Sequence, residues 1–413
     1  MMRLPFLFFL LFVFSSGCVG ENSPGLDEII PESEPVSPIS SSEAPPAPES
    51  DAIPDGSEAA TDSMSPEQAE WNQRVDAALA PVECPDVSPK VVPSEYYSGP
   101  LVDTHWHIPS IPDGPVDEDA FGSEMGHPLA GVNVTMGEIA CTLKREGTPR
   151  VVGFFSVWDE AAPYQLEMVR RTVEEFPGKF VPFIMTPDHD DSPSGFPTVD
   201  AIQLESFLDV YPGLFQGYGE IGLYARQGGS AALPPNSIRL KEIYPLVREN
   251  NLVVYVHLGE GQQDSFEEVL SENPDIQFIW HGDQLVKWES DNHMNLERLD
   301  EILENHPNAY YGVDQLYGNE WLLHPDVSKE TFLAHFDEYD ALLEEDVKNW
   351  KDFIERHPDQ VMWGTDRGWS SPWSVDPEVG IRLTDYTRAF IGKLDPSVQE
   401  RFAHANAAKL FWK

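Results

Sequence analysis

Beyond Pro100 the chain has a regular rhythm, in which short apolar runs alternate with amphipathic stretches of helical period. The runs Leu101–Asp103, Arg150–Val157, Phe180–Met185, Phe215–Ile221, Leu252–His257, Gln277–Trp280, Ala309–Val313 and Val361–Gly364 each suit a buried parallel strand. Between the first two, Thr135–Glu138 has capping-box spacing, with Met136, Ile139, Ala140 and Leu143 on one face and Gly147 as the stop. Ser237–Glu249 and Phe266–Leu270 have the same helical character. Eight strands separated by helices predict an α/β fold, a (β/α)8 barrel occupying residues 100–413. An open doubly wound sheet is the rival architecture, but the glycine-rich phosphate loop that marks many such sheets is missing.

The sequence before Pro100 is unlike this. Residues 65–99 predict a short helix, opened by Ser65-Pro66-Glu67 and running to about Ala80, followed by an extended proline-rich lead-in. Residues 19–64 hold Pro, Ser, Glu, Asp and Ala with neither Lys nor Arg and with no apolar period. Such a segment buries too little surface to offset its ordering entropy, so a disordered acidic tether is expected. Residues 1–18 predict an export signal: Arg3 precedes the apolar run Leu4–Phe14, which is shorter than the roughly 18 residues a membrane span needs. Ser15-Ser16-Gly17-Cys18 resembles a bacterial lipobox, with Ser15 where leucine is usual. Cys18 is then the lipidation site, and the barrel is expected outside the cytoplasm, anchored to the membrane through lipid. An ordinary cleaved signal peptide is the alternative. Cys84 and Cys141 either pair in an oxidising compartment or remain buried thiols.

A hydrophobic content of 41% allows a sizeable core, and the formal net charge of −45 limits the partners. Nucleic acid is repelled by such a field, because phosphate binding rests on clustered Lys and Arg.

The chemistry concentrates at the ends of the expected strands. In Asp103-Thr104-His105-Trp106-His107, residues two apart on a strand face the same way, so His105 and His107 present two imidazoles to one side. Two imidazoles together suit zinc and similar ions. His257 closes Val253–Val256, His281 follows Phe278–Trp280, Asp366 follows Met362–Thr365, and Glu220 lies in the run around Tyr218. All fall on the face where barrels carry catalytic groups, and an unpaired buried His or Glu there is costly. Trp106, Tyr224, Arg226, Asp283, Gln284, Arg367 and Trp369 also follow strand ends. Of these Trp106, Tyr224, Arg226 and Arg367 are candidate substrate-binding residues, the arginines as two-pronged partners of an anion. The remaining histidines lie in helical or loop stretches and read as surface or capping residues, with His293 the exception.

The motifs DTHWH (103–107), GEIG (219–222), VHLGEG (256–261), WHGD (280–283), GTDRGW (364–369) and the closing AHANAAKLF (403–411) resemble the amidohydrolase superfamily, in its strand order. The resemblance implies a divalent-metal cofactor, with zinc expected, in one of two arrangements. In the two-metal form His105, His107 and Asp366 hold one ion, His257 and His281 a second, and Glu220 bridges where other members carry a carbamylated lysine. In the one-metal form His105, His107, His257 and Asp366 are ligands and His281 is the base. Glu220 favours two ions. Asp366 would take the proton from the activated water and return it to the leaving group.

The expected activity is hydrolysis of a small amide, ester or lactone. A non-oxidative decarboxylase is the alternative, with no need of Glu220. A TatD-type deoxyribonuclease comes third: GEIGLY resembles that family's GEIGLD, but Tyr224 replaces the aspartate and the charge opposes DNA. A lipoprotein that keeps the barrel as a binding module comes last, since every ligand position is filled. The tether reading predicts that removing residues 19–64 leaves kcat unchanged; a large loss of kcat in the truncated enzyme would refute it.

Overall fold

The computed structural model describes residues 65–85, 92–112, 128–159, 161–187, 195–225, 230–282, 296–314, 316, 327–368 and 372–412. The signal, the tether, Cys18, Arg226, Asp283, Gln284, Trp369 and His293 lie outside the described residues.

Eight parallel strands run in sequence order: β1 (Val102–Ile108), β2 (Arg150–Ser156), β3 (Phe180–Met185), β4 (Gly217–Gly222), β5 (Val253–His257), β6 (Phe278–His281), β7 (Ala309–Val313) and β8 (Val361–Trp363). The sheet curls into a (β/α)8 barrel, and its seam joins β1 to the segment that follows β8. There Thr104 donates its hydroxyl to the Trp363 carbonyl at 2.8 Å, Asp366 N–H to His105 at 3.0 Å and His107 N–H to Arg367 at 2.7 Å. Asp103 adds a side-chain clasp, accepting from the Thr365 N–H at 3.0 Å and the Thr365 hydroxyl at 2.6 Å. Burial pushes the Asp103 carboxyl up to about 7, against the pull of Arg367 and the Thr365 hydrogen bond.

Strand alternation divides the apolar residues into two layers. Val152, Phe154, Val181, Phe183, Val253, Tyr255, Ile279, Tyr310 and Met362 fill the barrel interior. Their neighbours, including Val151, Phe155, Val254, Phe278, Trp280, Tyr311 and Trp363, face outward into the layer shared with the helices. The interior is stoppered from below by α4 (Asn406–Phe411): Leu410 and Phe411 pack into the inner cluster, and Asn406 donates to the carbonyls of Pro358 and Val361. This helix begins with the Asn-Ala-Ala of the closing motif.

Outside the barrel, α1 (Pro66–Ala78) has Ser65 as its cap, its side chain accepting from the Gln68 N–H at 3.1 Å. It packs on α3 (Ala162–Glu175), where Trp71 stacks on Tyr164 at 4.7 Å. The helix α2 (Met136–Glu146) shows the expected capping box at Thr135 and Glu138, and Gly147 ends it at a φ of 79°. Cys84 and Cys141 form a disulfide, Cα atoms 5.4 Å apart, which fastens the lead-in to α2. Of the two states the sequence leaves open, the structure holds the paired one. The bridge closes a chain separation of 57 residues, so Cys141→Ser is expected to destabilise the protein by about 2–4 kcal/mol. Denaturant melts of the oxidised wild type and the variant check this; coincident midpoints would refute it.

Candidate metal centre

The sequence pattern assumes unbroken alternation along the strands, but two irregularities aim the central residues. Against β2, β1 carries one extra residue between Asp103 and Trp106. Val102 below it and His105 and His107 above it consequently all face the interior. Against β5, β4 carries one extra residue between Tyr218 and Ile221, which turns Glu220 inward. Bulges beside active sites commonly re-aim a side chain in this way. Only glycine fits before Glu220: Gly219 has a φ of 123°, and a Cβ there would overlap the carbonyl oxygen of Tyr255.

Above the aromatic layer the side chains of His105, His107, Glu220, His257, His281 and Asp366 converge. His105 rests edge-on against Phe154 and Tyr255, with centroids 4.9 and 5.1 Å away. Its Nε2 lies 3.2 Å from His107 Nε2, 3.3 Å from Glu220 Oε2 and 3.2 Å from Asp366 Oδ1. His107 Nε2 is 3.2 Å from each of the same two carboxylate oxygens. Glu220 turns its other oxygen to His257 Nδ1 at 2.9 Å, and the ring of His257 stacks on His281 at 4.2 Å. His281 Nε2 is 3.7 Å from Asp366 Oδ2. Asp366 is held in the left-handed region, φ 53°, which aspartate tolerates better than most side chains. With 22% of its side chain exposed, it is more open than His105, His107 or Glu220.

The electrostatics call for positive charge. Burial alone would push the His105 imidazole down, but Asp366 and Asp314 hold it well above the usual histidine range. His107 and His281 are raised too, against burial, by Asp366 and Glu220. Burial would raise Glu220 and Asp366, yet the surrounding imidazoles hold both below the ordinary carboxylate range. A divalent ion meets the same demand, and the donor set has the spacing for one. Ligands of a tetrahedral ion with bonds of about 2.0–2.1 Å stand about 3.3–3.4 Å apart. Five of the six separations among His105 Nε2, His107 Nε2, Glu220 Oε2 and Asp366 Oδ1, all but that between the two carboxylates, are 3.2–3.3 Å. His105, His107 and Asp366 form one candidate ligand group, and His105, Glu220 and His281 another.

A cavity of about 230 Å³ opens beside His107 and Glu220. Ile108, Pro109, Pro128, Leu129, Trp158, Met185, Pro187 and Pro197 make its wall mostly apolar, with Ser110 and Ser156 as polar points. Tyr224 flanks the centre, its ring 4.6 Å from His257.

Two expected pocket residues require correction. Trp106 alternates with His105 and His107, so it points outward into the helix layer and is fully buried. Arg367 bridges to Trp106 on that outer side, its guanidinium 3.9 Å from the ring centroid. Both of its terminal nitrogens are committed to Glu146 on α2, at 2.9 and 2.8 Å. This buried pair anchors the residue next to Asp366 and holds Arg367, itself buried, on the helix side of the strand rather than in the pocket. Conversely, the cluster takes in Asp314, which is not among the expected residues. It follows β7 as Asp366 follows β8, so the rule that found the other strand-end residues applies to it equally. Its Oδ2 lies 3.2 Å from His105 Nδ1.

Residues 102–412 match the model of the amidohydrolase family, and the chain belongs to that family. No curated protein matches the sequence. Among solved structures, an amidohydrolase from Burkholderia multivorans with bound HEPES is 10% identical, over 76% of this chain and 99% of its own, with a TM-score of 0.44. The 5-carboxyvanillate decarboxylase of Novosphingobium aromaticivorans, complexed with manganese and a nitrobenzoic acid, is 11% identical over 78% and 97%, with a TM-score of 0.42. The 4-oxalomesaconate hydratase of Rhodopseudomonas palustris is 14% identical over 75% and 95%, with a TM-score of 0.40.

Removing one partner of a buried ion pair strands the other charge. Arg367→Met is therefore expected to cost about 3–5 kcal/mol of stability through Glu146, and Arg367→Met with Glu146→Leu to recover much of it. Denaturant midpoints of both variants test this; a single variant as stable as wild type would refute the pairing.

Proposed function

We propose that the protein is a metal-dependent hydrolase of a small, largely apolar ester, lactone or amide. The observation that carries this reading is the set of 3.2–3.3 Å separations among two imidazole nitrogens and two carboxylate oxygens beside an open cavity. His105, His107 and Asp366 would hold one divalent ion. Glu220, with one oxygen toward that pair and the other toward His257, is suited to bridge to a second ion held by His257 and His281. Zinc is the expected metal. A bound ion of this kind would acidify its water toward neutral pH and polarise the substrate carbonyl.

The protein's own groups do the rest. Asp366, the more exposed carboxylate, accepts the proton of the attacking water and delivers it to the leaving group. His281, 3.7 Å from Asp366 Oδ2, steadies that carboxylate. The proline-rich apolar wall orients a compact substrate and keeps bulk water from the reacting carbonyl, with Ser110 and Ser156 as hydrogen-bonding points. Tyr224 and Arg226 are the candidate substrate contacts beyond β4. Glu220 favours hydrolysis over decarboxylation, which would leave it without a task.

Export is part of the proposal. The apolar run Leu4–Phe14, the lipobox-like Cys18 and the acidic residues 19–64 support a lipid-anchored barrel outside the cytoplasm. The Cys84–Cys141 disulfide suits such a compartment.

Gently purified protein is expected to carry at least one divalent ion per chain by elemental analysis, and to turn over some member of an ester, lactone and amide panel. Asp366→Asn should lower kcat at least about a hundredfold, the scale of general acid–base catalysis, while circular dichroism shows a folded barrel. Metal-free purified protein, or full activity in Asp366→Asn, would overturn the reading. Glu220→Ala with unchanged turnover would favour the decarboxylase instead.

A further inference from the structure

Behind the candidate ligands lies a second layer of buried polar contacts, centred on Asp314. Its carboxylate is fully buried and its Oδ2 stands 3.2 Å from His105 Nδ1, on the side of the ring opposite the Nε2 that faces His107, Glu220 and Asp366. Tyr255, projecting from β5 into the interior, brings its hydroxyl to 3.2 Å from the same Nδ1 and 3.5 Å from Asp314 Oδ2. The Gly282 N–H, just beyond β6, donates to that oxygen at 3.3 Å.

The space for this carboxylate is made by missing side chains. A Cβ at Gly364 would overlap Asp314 Oδ1 and come within 2.8 Å of the Cβ of His105. A Cβ at Gly312 would stand 3.2 and 3.3 Å from the two Asp314 oxygens. Gly312 on β7 and Gly364 just beyond β8 thus form a cradle that admits one carboxylate and sets its Oδ2 nearest His105 Nδ1, at 3.2 Å, with His281 Nε2 farther off at 3.7 Å.

We propose that Asp314 is a positioning residue for His105: it accepts a hydrogen bond from Nδ1–H, and so fixes the tautomer and ring plane that leave Nε2 as an unprotonated donor aimed at the metal. The role rests on the metal-centre reading above. An imidazole has one proton and one lone pair when neutral, and holding the proton at Nδ1 puts the lone pair at Nε2. A carboxylate partner also makes Nε2 a more basic ligand, and loss of such a partner typically weakens metal binding about 10–100-fold. Tyr255 is the weaker partner: its hydroxyl donates as readily as it accepts, so alone it does not select the tautomer.

The experiment is zinc affinity, measured by competition with a chromophoric chelator, for wild type, Asp314→Asn and Tyr255→Phe. Asp314→Asn fits the glycine cradle and is expected to bind zinc about 10–100-fold more weakly, with Tyr255→Phe nearer wild type. In parallel, nitrogen-15 spectra of the zinc-loaded wild type, labelled in histidine, should place the His105 proton on Nδ1. That readout needs no variant and so stands if Asp314→Asn fails to fold. Equal zinc affinity in a folded Asp314→Asn, or a His105 proton on Nε2, would overturn the role of Asp314. A wild type that binds no zinc would instead overturn the metal-centre reading.

Discussion

Everything at the mouth of this barrel depends on burying carboxylates that need cations beside them. Glu220, Asp314 and Asp366 sit among four imidazoles in a space where water is largely excluded. An unpaired charge there would cost several kcal/mol. The cluster is tolerable only as a mutually compensating set, whether the positive charge resides on imidazoles or on a metal. That requirement explains why the irregularities of β1 and β4 are placed as they are. The first turns His105 and His107 inward and the second Glu220, toward partners that neutralise them.

The rest of the fold holds this arrangement from three sides. From beneath, α4 and the ring layer of Phe154, Phe183 and Tyr255 form an apolar floor, and His105 stands edge-on upon it. At the seam, Asp103 and Thr365 join the strand that carries His105 and His107 to the turn that carries Asp366. From outside, Glu146 on α2 grips Arg367, immediately after Asp366. The left-handed backbone of Asp366 is therefore bracketed by two buried polar anchors, one on each flanking residue. Local strain of this kind persists where the surroundings over-determine it.

Much of this was legible in the sequence. The apolar runs place all eight strands, because parallel strands covered on both faces are apolar along their length. The strand-end rule places His105, His107, Glu220, His257, His281 and Asp366. The apolar run covers only the start of β1, and the alternation of His105 and His107 is what carries the strand on toward Ile108. Its upper half is polar because it lines a site, and composition there speaks for chemistry rather than for strand. Trp106 and Arg367 depart from expectation for a related reason. Adjacency in sequence to a ligand suggests the pocket, but on a strand the next residue faces the opposite way. The pairing of Cys84 with Cys141 is one of two states the sequence allows, since spacing does not say whether two thiols come within bonding distance.

The lead-in has a mechanical consequence. Between α1 and β1 the chain is fastened by the disulfide to α2 and by Arg388, whose guanidinium donates to the carbonyls of Tyr97, Gly99 and Gly147. Before those points, α1 is held to α3 by the Trp71–Tyr164 stack and the Arg171–Asp76 pair. Tension applied at residue 65 therefore loads α1 in shear, then a covalent crosslink, then a guanidinium clamp, before any of it reaches β1. The load is shed into the outer helices, and the strand bearing His105 and His107 is left slack.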